Sequence, residues 1–496
     1  SGTWEYNPGT LIRALPDNVH LFYGSFDSSY HSDVVNRKAD VENRLTTAEE
    51  EKWMPRIHFI DQRASSLNGG IAGLIQNWGA FYYGIDRFQQ SREMGSLHDW
   101  SQGGNCCTNP KHLAFEPHTW NSEYSSRIRV TDPGVTVVPM FEEQWHNGGW
   151  SGGYNSYTNA TFPDSSVMAG FDTMEVYAYH ACEDNRMRYS GGGCHEWDYL
   201  HYLRICDADN SSVCNTEFVR YITTYGKEGQ WLTDITPYLW MVQDGGDRRF
   251  KFSGANKMGV EITVLLSNWG EDEVPFAAEH AFSGGQFKGE YNNQSQHKRQ
   301  HLFTPPTGTD TVEIVATITG HGFNSDAANC SEFCNHEHHY SMNGYTAMED
   351  HPTVGQLAGC QNLVNQGVTA NQFGSWPYGR AGWCAGQDVK QWRYDITSWV
   401  NFGVENNLSY RGLYQGQEYV PQSDTGGTRN IEAHIWLVFY NETGAAIGTT
   451  AHQVAPPPFG IADDCGIGGS SEFCHQHLMV PNSLSFSTAT LRPFGI

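Results

Sequence analysis

The sequence predicts a mainly β protein. Three observations carry this: 53 glycines, an aromatic complement of 25 Tyr, 25 Phe and 16 Trp, and only 17% charged residues in 496. Aromatic side chains suit a pleated, half-buried surface and glycines supply tight turns, so the balance favours short strands joined by Gly-rich turns over long helices. At this length one hydrophobic core rarely organises the whole chain, and two to four domains are expected.

Residues 1–130 read as an accessory N-terminal region of mixed structure, because helix-like stretches appear here alone. One surrounds Glu49–Glu51, where Thr47 with Glu50 matches a capping box, and another runs from Gly70 to Gln90. From 131 to 285 short apolar runs such as Met174–Tyr179 and Val260–Leu266 are bounded by Gly, Asn and Asp, as in the strands of a sandwich. The polar stretch from Ser283 to His301, with Asn292, Asn293, Gln294 and Gln296, has no apolar period. It reads as a linker or long loop, with a domain boundary near 285. A second β domain follows over 286–445, where Val312, Ile314, Ala316 and Ile318 alternate with polar or small neighbours and Ile431–Tyr440 is apolar enough for a central strand. Residues 446–496 read as an extended tail opened by Pro456, Pro457 and Pro458. Its strand-like Leu484–Leu491 segment suits pairing with a sheet edge of this or another chain, which makes the tail a candidate for self-association.

The formal charge of −25 opposes binding to phosphate backbones and anionic lipid, which argues against nucleic acid and anionic membranes as partners. No run of about 18 apolar residues is present, so no membrane span is expected. No charged-then-apolar leader precedes Ser1, which reads as a mature N-terminus.

Twelve cysteines form an even set, with close neighbours at Cys106 and Cys107, Cys182 and Cys194, Cys206 and Cys214, Cys330 and Cys334, Cys360 and Cys384, and Cys465 and Cys474. A disulfide framework in an oxidising compartment is the preferred reading over a thiolate metal site, since no pair of CxxC units is present; spacing alone leaves the pairing open. Sequons at Asn159, Asn210, Asn293, Asn329, Asn407 and Asn441 add weight to a secreted, extracellular glycoprotein.

Three segments combine Cys, acidic or basic residues and aromatics: Cys194-His-Glu-Trp-Asp198, Cys330-Ser-Glu-Phe-Cys334, and Trp376-Pro-Tyr-Gly-Arg-Ala-Gly-Trp-Cys384. Each sets charge beside a candidate covalent staple, and carboxylates and a guanidinium preorganised beside tryptophan suit hydrolysis of a sugar-linked amide. The competing reading is an arginine paired with structural acids. Histidine offers another: His336, His338 and His339 form a His-x-His-His run, and His336 and His338 would share one face of a strand at a spacing that suits copper or zinc. The other ligands are unspecified, so the histidines read as surface or hydrogen-bonded core residues, and no metal or cofactor is expected.

These segments resemble the peptide-N-glycosidase F family, the amidases that act on asparagine-linked N-acetylglucosamine. The resemblance covers roughly residues 165–445. It is carried by Thr319-Gly-His-Gly322, Cys330-Ser-Glu-Phe-Cys334 with His338, Leu357-Ala-Gly-Cys360 and Gly379-Arg-Ala-Gly-Trp-Cys384, and in the first domain by Cys194–Asp198 with Cys182 upstream. It implies two adjacent antiparallel jelly-roll sandwich domains, here with a mixed N-terminal extension, and a substrate cleft between them. It also implies disulfides pairing Cys182 with Cys194, Cys330 with Cys334, and Cys360 with Cys384.

The chemistry implied is hydrolysis of the bond between an asparagine side-chain nitrogen and the first N-acetylglucosamine of N-glycosylated peptides or proteins. Carried over by position, Asp198 is the principal catalytic carboxylate, Glu332 orients water or substrate, and Arg380 balances charge. Trp383, Trp197, Tyr199 and His338 would line the substrate surface, with a core role the alternative for both tryptophans. The family places an arginine directly after the first-domain aspartate, where this chain has Tyr199. It places an acid and a sugar-binding tryptophan in the stretch that here reads Phe252–Asn256, an aspartate at Gly379 and a tryptophan at Phe333. These departures support the second reading, a catalytically degenerate relative serving as an extracellular structural, self-assembling or glycan-binding glycoprotein.

Overall fold

Strands whose residues alternate between buried and exposed dominate the structure, a computed structural model. It describes residues 12–13, 15–67, 83–85, 91–93, 110–148, 155–182, 197–255, 257–322, 328–370, 372, 375–421 and 429–442. These fall into two units, one within residues 1–120 and the other within 121–457.

The N-terminal unit is of mixed structure. Strands β1 (Leu21–Ser25) and β2 (Ile57–Arg63) pair in parallel, with helices α1 (Tyr30–Glu42) and α2 (Thr47–Trp53) between them in sequence. Ile12, Leu15, Val41, Trp53 and Ile57 form a small core, with Arg56 lying 4.0 Å from the Trp53 ring. The capping box of α2 uses Thr46 and Glu49, one residue earlier than the expected Thr47 and Glu50. Thr46 has the extended backbone that an N-cap requires, and Thr47 is already helical. Within the stretch expected to be helical from Gly70 to Gln90, Tyr83–Ile85 is instead a strand, β3, paired with β4 (Ser91–Glu93). The rest of that stretch lies outside the described residues. Helix α3 (Pro110–Val130) precedes the sandwiches.

The first sandwich comprises β5 (Thr136–Asn147), β6 (Asn155–Phe162), the short helix α4 (Ser165–Met168), β7 (Thr173–Ala181), β8 (Leu200–Ile205), β9 (Thr216–Ile222), β10 (Gly229–Asp234), β11 (Gly246–Gly254) and β12 (Lys257–Ser267). Two four-stranded antiparallel sheets, β10-β7-β12-β5 and β6-β11-β8-β9, enclose Val176, Ala178, Leu203, Phe250, Phe252, Ile262 and Val264.

The second sandwich repeats the plan with β13 (Glu273–Gln286), β14 (Gln300–Phe303), β15 (Thr311–His321), β16 (His336–Met342), β17 (Tyr345–Glu349), β18 (Trp392–Asp395), β19 (Asn406–Tyr414) and β20 (Asn430–Glu442). Its sheets are β13-β20-β15-β18 and β14-β19-β16-β17, also antiparallel. Eight strands in two four-stranded sheets is the jelly-roll count. β13 pairs with β20 from Glu273 onward, so the second sandwich takes up the chain upstream of the boundary expected near 285. Between β13 and β14 the polar stretch is a loop anchored by buried Phe287, Tyr291 and Arg299. The Arg299 guanidinium donates to the carbonyls of Tyr291 (2.8 Å) and Ser283 (3.0 Å).

β20 shows why Ile431–Tyr440 is so apolar. Successive side chains of a strand point to opposite faces. Ile431, Ala433, Ile435, Leu437 and Phe439 fill the second core, while Trp436, Val438 and Tyr440 join the first sandwich's core. The strand is buried on both sides, and the sandwiches share an apolar seam. Among the described residues no helix is long and apolar enough to cross a membrane.

Candidate functional site at the Arg380 guanidinium

β8 and β9 pair so that Leu200 faces Ile222, which makes neighbours of the segments just outside them. Thr223 Oγ1 accepts from the Tyr199 amide (2.8 Å) and donates to the Trp197 carbonyl (2.9 Å), which fixes the turn that presents Asp198. In the second sandwich, the turn carrying Glu332 is closed by a Cys330–Cys334 disulfide. The Glu332 amide donates to the Gly322 carbonyl (3.0 Å), and its carbonyl accepts from the Ala381 amide (3.0 Å).

The loop that carries Arg380 is tied down by the Cys360–Cys384 disulfide and packs at backbone distance against its neighbours. A Cβ on Gly379 would lie 1.7 Å from the Thr353 carbonyl oxygen, and one on Gly382, at φ +79°, 2.1 Å from that of Ile318. The backbone therefore has no room for the aspartate that the resemblance would set at 379. Replacing Cys360 and Cys384 together by alanine is expected to lower stability by about 3 kcal/mol, read by equilibrium denaturation against the wild type.

These three segments converge on one buried guanidinium. Arg380 Nε donates to Glu332 Oε1 (3.0 Å), Nη1 to the carbonyls of Ser375 and Tyr378 (both 2.9 Å), and Nη2 to Tyr225 OH (2.9 Å) and Ser375 Oγ (2.7 Å). Nη2 also lies 3.7 Å from Asp198 Oδ2, which accepts a 2.5 Å hydrogen bond from Tyr225 OH. All five N–H donors of Arg380 are thereby engaged. The side chain is fully buried, whereas Asp198 and Glu332 keep 19% and 14% of theirs open to solvent.

Burial pushes the Glu332 carboxyl up to about 7, with Arg380 opposing and Asp198 reinforcing the shift. The Asp198 carboxyl is also raised by burial, against the pull of Arg380 and Tyr225. The arrangement holds two carboxyls, both raised by burial, beside one fixed cation, and of the two Glu332 titrates near neutral pH.

The other expected site residues are dispersed. Trp197 is 54% exposed beside Asp198, which removes the core alternative for it. Tyr199 is half-buried. Trp383 does not face a substrate: it is 4% exposed, its Nε1 donates to the Gly320 carbonyl, and its ring is covered by His321 and Arg380. His338 is fully buried inside the second sandwich and hydrogen-bonded to Tyr410, so a substrate-binding role does not fit it either. In the Phe252–Asn256 stretch, Phe252 is core, Ser253 accepts from Arg204, and Gly254 abuts the His201 ring; Asn256 lies outside the described residues. His339 points away from His336 and His338, to Glu337.

Disulfides join Cys206 to Cys214, Cys330 to Cys334 and Cys360 to Cys384. Cys182 is disulfide-bonded, and Cys194, its expected partner, lies outside the described residues, as do Cys106, Cys107, Cys465, Cys474, His195 and the C-terminal tail. Of the sequon asparagines, Asn159, Asn210, Asn293 and Asn407 are exposed, while Asn329 and Asn441 are half-buried. Sequence reasoning missed Tyr225 and Ser375. Tyr225 bridges Asp198 and Arg380 from a Thr-Thr-Tyr-Gly turn that carries no motif.

Residues 290–439, which include Glu332 and Arg380, match the family model described as peptide-N-glycosidase F, C terminal. No curated protein matches the chain. Among solved structures, the chain is similar to a recombinant peptide:N-glycanase F (16% identity, 62% of this chain and 96% of that one, TM-score 0.49). The same figures hold for the glycosylasparaginase PNGase F of Flavobacterium meningosepticum. PNGF-II is similar at 12% identity over 64% of this chain and 67% of that one, with a TM-score of 0.48. The family-model match falls within the second sandwich.

Proposed function

We propose that the chain is a secreted amidase that hydrolyses the asparagine–N-acetylglucosamine bond of N-linked glycoproteins or glycopeptides. The observation that carries this reading is the convergence of Asp198 and Glu332, from loops of two different sandwiches, on one buried guanidinium. Asp198 takes a proton from the water that attacks the side-chain carbonyl carbon. Glu332, close to half-protonated at neutral pH, gives its proton to the departing nitrogen as the C–N bond breaks, leaving aspartate and a glycosylamine. Arg380 is a positioning residue, since every donor it has is already used to fix the two acids and their loop. Exposed Trp197 offers an aromatic face to a sugar ring next to Asp198. The described disulfides favour an oxidising, extracellular setting.

Two observations favour a second reading, glycan binding or structural assembly without turnover: the Arg380 network is satisfied internally, and Tyr199 stands where the family has an arginine. Incubation of the purified chain with an N-glycosylated peptide decides between them. Conversion of the linkage asparagine to aspartate with release of the glycan, read by mass spectrometry, supports the amidase. No conversion by folded protein over a range of pH and core glycans rules it out.

Glu332 also ties stability to pH. Its folded-state pKa, about 7, lies above the ordinary value of 4.5, so its contribution is fully present below about 4.5 and is lost as pH rises through about 7. Across that window the wild type is expected to lose on the order of 3 kcal/mol relative to Glu332→Gln, measured by denaturation of both. Parallel curves would show that Glu332 stays ionised throughout.

A further inference from the structure

The His-x-His-His run acquires a third partner in the fold. His336 and His338 lie on the inner face of β16, and the β16–β17 ladder sets His338 opposite Glu349. Continuing that register by two residues brings His351, just past the end of β17, opposite His336. His336 and His338 are fully buried and His351 is 7% exposed. One ligand nitrogen from each lies within 4.8 Å of the others.

The hydrogen bonding leaves these rings incomplete. His336 Nδ1 and His338 Nε2 are 2.8 Å apart, and His338 Nδ1 bonds the Tyr410 hydroxyl at 2.7 Å, yet His351 Nε2 is buried without a partner and His336 Nε2 has at most the Ser331 carbonyl beside it. A buried polar atom with no partner carries a desolvation cost that an ion would relieve. The Tyr410 contact is of the kind that orients a ligating imidazole from its far side.

We propose that His336, His338 and His351 together bind one first-row transition-metal ion, of the zinc or copper class, inside the second sandwich. An all-imidazole donor set favours these ions over calcium or magnesium, which prefer oxygen ligands. Zinc–nitrogen distances of about 2.0–2.1 Å set neighbouring ligand atoms roughly 3.3 Å apart in a tetrahedron, which small ring rotations reach from the observed spacing. Glu349, on the same face, supplies a carboxyl group beside the cluster.

The ion would sit directly beneath the candidate active site. A Cβ on Gly320 would meet the Ser331 carbonyl oxygen at 2.3 Å and His336 Nε2 at 2.7 Å, and one on Gly382 would meet His351 Cε1 at 3.1 Å, so the cluster abuts the turn of Glu332 and the loop of Arg380. Metal binding here stands independently of the amidase reading.

The test uses the full chain without an affinity tag, stripped with a chelator and titrated calorimetrically with zinc chloride and with a copper salt. Because the cluster is buried, the metal is also supplied during refolding with the disulfides kept intact. The expected result is one equivalent bound by the wild type, a higher unfolding midpoint with metal, and an affinity at least about 100-fold weaker in His351→Gln. Absence of stoichiometric binding of either metal by the folded wild type overturns the proposal, as does equal binding by folded His351→Gln. If that variant does not fold, X-ray absorption on the metal-loaded wild type decides: three imidazole nitrogens at about 2.0 Å support the site, and a shell of oxygen or sulfur overturns it.

Discussion

Asp198→Asn is expected to lower kcat/KM toward an N-glycosylated peptide by about 10²–10⁴-fold, the usual range for loss of a general base. The substitution preserves shape, and the asparagine oxygen still accepts from Tyr225 OH, so the turn set by Thr223 and the Arg380 loop should persist. The loss should fall on kcat, because the water is activated in the transition state and the sugar contacts are unchanged. Tyr225→Phe separates positioning from chemistry. It removes the bridge between Asp198 and Arg380 without removing an acid, and so should reduce kcat less and shift the pH profile. An Asp198→Asn variant within about tenfold of wild type would transfer the base role to Glu332.

Arg380→Met is expected to destabilise the unit formed by residues 121–457 by about 3–5 kcal/mol, the range for removing one member of a buried ion pair. Methionine approximates the length of the side chain but supplies none of the five hydrogen bonds. The Glu332 carboxylate, the Ser375 and Tyr378 carbonyls and the Tyr225 hydroxyl would be left without their donor. Both acids would then be protonated more readily, so the deficit should shrink as pH falls below neutrality. Arg380→Lys should recover little, because one ammonium has three donors and no planar fork with which to serve acceptors on three segments. Equilibrium denaturation at two pH values checks this. A loss under about 1 kcal/mol would mean that water replaces the guanidinium and the site is more open than its burial indicates.

Much of the second sandwich was legible locally. Val312, Ile314, Ala316 and Ile318 alternate because β15 turns these side chains into its own core. Ile431–Tyr440 reads as central because both faces of β20 are covered. The capping box lay one residue from its sequence match, since Thr46 and Thr47 are chemically equivalent and only backbone conformation separates cap from first turn. Asp198, Glu332 and Arg380 stood out because each lies in a compact motif beside a cysteine. Tyr225 did not, since it meets Arg380 from 155 residues away. Trp383 and His338 were misplaced for a related reason: aromatic and imidazole side chains serve a core as readily as a sugar surface, and only the packing of their loop and strand shows which.

By itself the sequence determined the β character of the chain, the extent of its most apolar strands and the three motif segments, all of which depend on local periodicity and short-range chemistry. The tertiary structure alone decided that Asp198 and Glu332 share one cation, that Trp197 is open while Trp383 is closed, and that His351 faces His336. Each of these depends on the register and packing of strands distant in the chain, and side-chain period does not encode that register.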